Sequence, residues 1–170
     1  MNGGLIPISD LNALSEGTFV AALRPLFEAA DPLARALYAA RPFGSYVELL
    51  DVAEACAQTL PRTEQIEVIN AHPRIGEKPG LVSSQSYREQ GYDAERAGAQ
   101  LDQVYARLRA LNDEYERRFG FRFVVFVNRR PKSAIAEVIE QRINNSADEE
   151  LGTALADMMR IARDRLANSA

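Results

Sequence analysis

One histidine stands among the 170 residues, in the run Asn70-Ala71-His72-Pro73-Arg74-Ile75-Gly76-Glu77-Lys78. An imidazole titrates at about 6.5 when unperturbed, so His72 can give or take a proton near neutral pH. It can equally be a hydrogen-bonded structural residue, and residue type alone leaves both roles open. Ser86-x-x-Glu89-Gln90 places three hydrogen-bonding side chains on one side of a helical turn, an arrangement able to hold a polar ligand. The same Ser-x-x-Glu spacing is that of a helix capping box. Arg160, Arg163 and Arg165 offer cations for an anionic ligand, or form the solvated face of a terminal helix. Lys78 could form a Schiff base or be an ordinary loop lysine.

Other chemistries are excluded by what is missing. A single Cys56 permits neither an internal disulfide nor a Cys-rich metal site, and in its apolar helical run it reads as a small buried hydrophobe. With one histidine and one cysteine no typical zinc site can be built, and no motif marks an all-carboxylate magnesium site. No glycine-rich loop follows a strand, so dinucleotide and P-loop fingerprints are absent.

The elements that must position these residues follow from periodicity and punctuation. Ser9-Asp10 and Ser15-Glu16-Gly17-Thr18 offer helix starts, and Phe19, Leu23, Leu26 and Phe27 share one face of a first main helix. Asp31-Pro32 reads as an N-cap followed by proline, with a helix running to Arg41-Pro42. Ser45 and Glu48 have capping-box spacing before a helix to about Leu60. The next helix, from about Pro61, must stop at Asn70 or Ala71, because Pro73 disfavours helical geometry in the residue before it. Residues 74 to 83 read as a loop and residues 83–90 as helical. Leu101, Val104, Leu108, Leu111, Tyr115 and Phe119 form the most regular apolar stripe, closed by Gly120. Residues 121–127 are aromatic and β-branched without a partner strand, so they read as a buried extended segment whose backbone groups need partners. Ser133 is expected to cap a helix ending near Asn144-Asn145, and Ser146 the last one. These signals predict an all-α fold: a single compact domain over residues 1–170, of about eight helices, with the extended segment 121–127 crossing its core.

Composition bounds the partners. A 46% apolar, 26% charged chain of net charge −4 is ordinary for a soluble globular protein and argues against nucleic acid or an anionic membrane as partner. Neither a signal-like start nor an apolar run of membrane-spanning length is present, which makes the cytoplasm the expected location.

Taken in order, the motifs carry a resemblance. His72-Pro73 with a following glycine, Ser86-x-x-Glu89-Gln90, Phe119-Gly120-Phe121-x-Phe123-Val124-Val125, Lys132-Ser133 with Arg142-x-Asn144, and Ile161-Ala162-x-x-Arg165-Leu166 resemble the 2-oxo-4-hydroxy-4-carboxy-5-ureidoimidazoline (OHCU) decarboxylases. No single motif is specific, but five in this order span nearly the whole chain. The resemblance implies an all-helical homodimer that decarboxylates the small molecule OHCU to (S)-allantoin, the last step from urate, without cofactor or metal. It implies His72 as catalytic acid/base with Glu89 nearby and Pro73 lining the pocket. Ser86, Glu89 and Gln90 would hold the ring and ureido group, Phe123, Val124, Val125, Phe126 and Val127 would offer backbone hydrogen bonds, and Arg165 would be the cation of the last helix. The chain departs from many relatives at Arg74, where an acidic residue is common, at Arg122, where proline is common, and at Asp164, where an apolar residue is common. The implied chemistry is self-consistent, because the carbon that loses CO₂ adjoins a ring C=N able to take up the electron pair. The protein then has to orient the breaking bond, stabilise charge in the ring and deliver a proton to one face. A His72 imidazolium, favoured by the Glu89 carboxylate, is the expected donor. Two competing readings are another lyase or hydrolase of a related ureido or imidazole compound on the same scaffold, and a non-enzymatic helical interaction module.

Overall fold

The computed structural model describes residues 4–77, 81–92 and 99–169, and among them the fold is all-helical, with ten helices and no strand. Their order is α1 Ile8–Ala13, α2 Glu16–Ala22, α3 Arg24–Phe27, α4 Asp31–Ala39, α5 Tyr46–Thr59, α6 Arg62–Asn70, α7 Ser84–Glu89, α8 Ala99–Phe119, α9 Lys132–Arg142 and α10 Ala147–Ala167. Two more helices than expected arise at the start, where the anticipated first helix is three short ones. Ser15 bends the chain in extended geometry before α2, and Pro25 lies in the first turn of α3.

Backbone contacts divide the chain into two compact units: one runs to His72 and resumes at Leu155, and the other spans Pro73–Ala154. In the first, α4 packs on α2, α5 and α6. Leu33 and Leu37 of α4 are one helical turn apart, so they bury the same face. Phe19, Leu49, Leu50, Ala53, Val68 and Ile69 are buried in this unit, as are Leu155, Met158, Met159 and Ala162 of α10. Each large side chain removed from water stabilises the fold by about 1.5–3 kcal/mol. In the second unit α8 packs on α9, and Leu108, Leu111, Tyr115 and Phe119 form the buried part of the predicted stripe. Gly120, with φ 79, ends α8 and donates its N–H to Glu116 O at 2.8 Å.

Several caps differ from the sequence reading. At Ser45 the hydroxyl accepts from Glu48 N, while the Glu48 carboxylate accepts from Gly44 rather than Ser45. Asp31 is the first residue of α4 and Ala30 precedes it as the cap, and Pro131 rather than Ser133 precedes α9, so neither predicted side-chain cap forms. Ser146 does build a reciprocal box, its N–H donating to Glu149 at 2.9 Å while its hydroxyl accepts from Glu149 N at 3.3 Å. Cys56 is half-buried rather than buried.

The segment 121–127 belongs to no helix or strand, and Phe121, Phe123, Val124, Val125 and Val127 are buried in it. Arginines take up its carbonyls: Arg142 Nη1 donates to Val124 O at 3.1 Å, and Arg130 donates to Phe126 O at 2.7 Å and to Val127 O at 3.1 Å. Arg142 itself pairs with the fully buried Glu150, which also accepts from Tyr115 at 2.5 Å and from Asn145 at 2.8 Å. A buried carboxylate needs such a set of donors. The predicted loop lysine, Lys78, lies with Pro79 and Gly80 outside the described residues.

Candidate active site

Helix α6 ends at Asn70 with Ala71 as its cap, as the proline corner requires, and His72 follows with its N–H donating to Ile69 O at 3.1 Å. The imidazole is buried. Of the three C-terminal arginines, Arg160 is exposed and pairs with Asp157, and Arg163 reaches Asp51 and Glu54 at the surface. Arg165 alone of the three is buried, its side chain 2% exposed, and Nη2 donates to the Glu28 carboxylate at 2.8 Å while Nη1 reaches Leu26 O at 3.4 Å. Glu28 was not singled out by its sequence context. It ends α3 at φ 57, ψ −146, a region nearly reserved for glycine, which costs on the order of 1–3 kcal/mol and persists only where surroundings enforce it.

Electrostatics in this unit set the state of His72. Burial foremost, then the Arg165 charge, lower its pKa to about 4 against the smaller upward pull of Glu28 and the Val68 backbone carbonyl. Both effects favour the neutral ring, with one N–H and one lone pair, over the imidazolium at neutral pH.

The remaining predicted residues lie in the second unit. Ser86 is buried, but α7 is capped by Ser83, whose hydroxyl accepts from Ser86 N at 3.1 Å, so Ser86-x-x-Glu89 is not the capping box. Glu89 is the last residue of α7 and half-buried, and Gln90 follows it. The Gln90 amide braces the loop after Pro73: its oxygen accepts from Gly76 N at 2.9 Å and its nitrogen donates to Arg74 O at 3.3 Å. Asn112 Nδ2 adds a bond to Ile75 O at 3.0 Å. Arg74 forms a two-pronged pair with Glu116 at 2.7 and 2.6 Å and reaches Asp113 at 3.0 Å, and the Glu116 hydrogen bond is the main reason its pKa is raised. Tyr92 donates its hydroxyl to Glu77 O. Gly76 completes the corner at φ 73, where a Cβ would lie 3.2 Å from Leu108. The loop that begins at Pro73 is thus held at four successive positions, Arg74 to Glu77. Buried Lys132 donates to Gln90 O at 2.7 Å, closing the C-terminus of α7, and its ammonium lies 4.1 Å from the Tyr92 ring centre. Asn112 and Glu28 carry no signal in their own stretches, and Lys132 only its place in a motif, because each acts on a backbone or partner far away in sequence.

The structure thus brings His72, Arg165 and Glu28 together in one unit, and joins Gln90 to the loop after Pro73 in the other. No group of three or more His, Cys, Asp or Glu side chains suited to a metal ion occurs among the described residues. None of the helices searched is long and apolar enough to cross a membrane.

A family model described as OHCU decarboxylase matches residues 12–167. The chain is 31% identical over 166 residues to the 2-oxo-4-hydroxy-4-carboxy-5-ureidoimidazoline decarboxylase of Haloferax volcanii, covering 95% of each chain. It is 30% identical over 165 residues to the protein of the same name from Halalkalicoccus jeotgali, covering 95% of this chain and 90% of that one. A crystal structure of OHCU decarboxylase in the presence of (S)-allantoin superposes with a TM-score of 0.68 at 21% identity, covering 85% of this chain and 94% of that one, a likeness of fold.

Proposed function

The chain belongs to the OHCU decarboxylase family, and on that premise we propose that it converts OHCU to (S)-allantoin in urate degradation with His72 as the proton-transfer group. The observation that most supports His72 is its burial as a neutral ring beside the equally buried cation Arg165. In the proposed reaction the C–CO₂⁻ bond breaks, CO₂ leaves, and its electron pair enters the adjacent ring C=N, giving an enol once the ring nitrogen is protonated. The enol becomes allantoin when its hydroxyl loses a proton and the neighbouring ring carbon gains one. A neutral imidazole suits that exchange, accepting at its free nitrogen and donating from its N–H, and transfer to one face sets a single stereocentre. Arg165 orients and partly neutralises the anionic substrate. Glu89, Ser86 and Gln90 bind the ring and ureido group, Pro73 lines the site, and the backbone of residues 123–127 supplies further hydrogen bonds. The substrate is its own electron sink, so the proposed reaction uses no cofactor. The proposal includes a homodimer and a cytoplasmic location.

The test uses freshly generated OHCU and follows optical activity as product forms. The proposal requires faster formation of allantoin than the uncatalysed decay and one enantiomer. Racemic product at the background rate, or preference for another ureido or imidazole compound, refutes it.

A further inference from the structure

Helix α10 carries its buried arginine against a carboxylate that the assignments above leave without a task. Building on that assigned activity, we infer that Glu28 is a positioning residue for Arg165, fixing its guanidinium and offsetting part of its charge so that it orients the substrate carboxylate without clamping it. Three observations carry this. The pair is short, 2.8 Å, and Arg165 is buried, so the charge of Glu28 acts on it with little screening by water. The Glu28 backbone is held at φ 57, ψ −146, which places the carboxylate on Arg165 against the preference of the chain itself. The neighbouring arginines cannot substitute, since Arg160 and Arg163 are occupied with Asp157, Asp51 and Glu54.

The chemistry gives such a carboxylate a purpose. Decarboxylation turns an anion into neutral CO₂, so a cation paired fully with the substrate carboxylate stabilises the ground state more than the transition state. A carboxylate on the far side of that cation weakens the ground-state pairing while holding the guanidinium in register.

Glu28→Gln and Glu28→Gly are the variants to compare with the parent in steady-state turnover of freshly generated OHCU. Glycine adopts positive φ freely, so a loss shared by both variants cannot come from backbone strain. Each should lower kcat on the order of 10- to 100-fold, the scale of loss from a misplaced orienting group. KM should fall with it, the signature of tighter ground-state binding that a merely structural residue would not produce. An active parent with either variant retaining kcat and KM within about twofold overturns the role of Glu28 and leaves the activity standing. A raised KM at unchanged kcat, or loss of helical circular dichroism in both variants, also overturns it. An inactive parent instead refutes the assigned activity, and this inference with it.

Discussion

Acidifying the protein from about pH 7 to about pH 5 should weaken its fold by about 2 kcal/mol more than it weakens the His72→Asn variant. The magnitude follows from one ring. His72 takes up a proton near its ordinary value of 6.5 in the unfolded chain, but not until about 4 in the folded one, where burial and Arg165 oppose the charge. Between those values the unfolded state binds the extra proton, so the contribution of His72 is fully present above pH 6.5 and is lost as pH falls towards 4. At about 1.4 kcal/mol per unit, nearly 2 kcal/mol disappears by about pH 5 and about 3 by about pH 4. Asparagine does not titrate, so its different packing adds only a pH-independent offset. Urea unfolding of both proteins, followed by circular dichroism at several pH values, reads the difference directly, because the other acids are common to both. Parallel stability curves for the two proteins would refute the neutral, buried imidazole and the proton-exchange role built on it.

Two other substitutions probe the same regions. Arg165→Met removes the buried cation paired with the Glu28 carboxylate and should destabilise the fold by about 3 kcal/mol. It should also move the His72 midpoint up from about 4, since Arg165 lowers it, and NMR titration of the single imidazole measures this without assignment ambiguity. Gly76→Ala, at φ 73 with its Cβ 3.2 Å from Leu108, should destabilise by more than about 1 kcal/mol in urea unfolding.

Local rules written in short stretches were the legible part of this protein. The proline after His72 ended α6 at Asn70, Gly120 closed α8, and the last helix began after Ser146 as its stretch announces. A buried non-helical run at 121–127 was visible in its aromatic and β-branched composition, and so was its need for backbone partners. That arginines would supply partners for its carbonyls was not, because Arg142 lies 18 residues from Val124. Ser86, with Glu89 three residues on, has the spacing of a box and Ser83 does not, yet the actual start of α7 makes Ser83 the cap. Glu28 was the hardest to see. It follows an apolar pair at the end of a four-residue helix, its partner is 137 residues away, and nothing in its own stretch hints at positive φ. The three C-terminal arginines share one short stretch and diverge only through packing, which buries Arg165 and leaves Arg160 exposed on Asp157 and Arg163 on the surface acids Asp51 and Glu54.

The most direct measurement runs the native chain and His72→Asn side by side on freshly generated OHCU, recording rate and handedness of the allantoin formed. The native chain should yield the S enantiomer, and the variant should be slower by on the order of 10²- to 10⁴-fold, with helical circular dichroism retained. A His72→Asn protein that makes (S)-allantoin at the native rate would contradict the account.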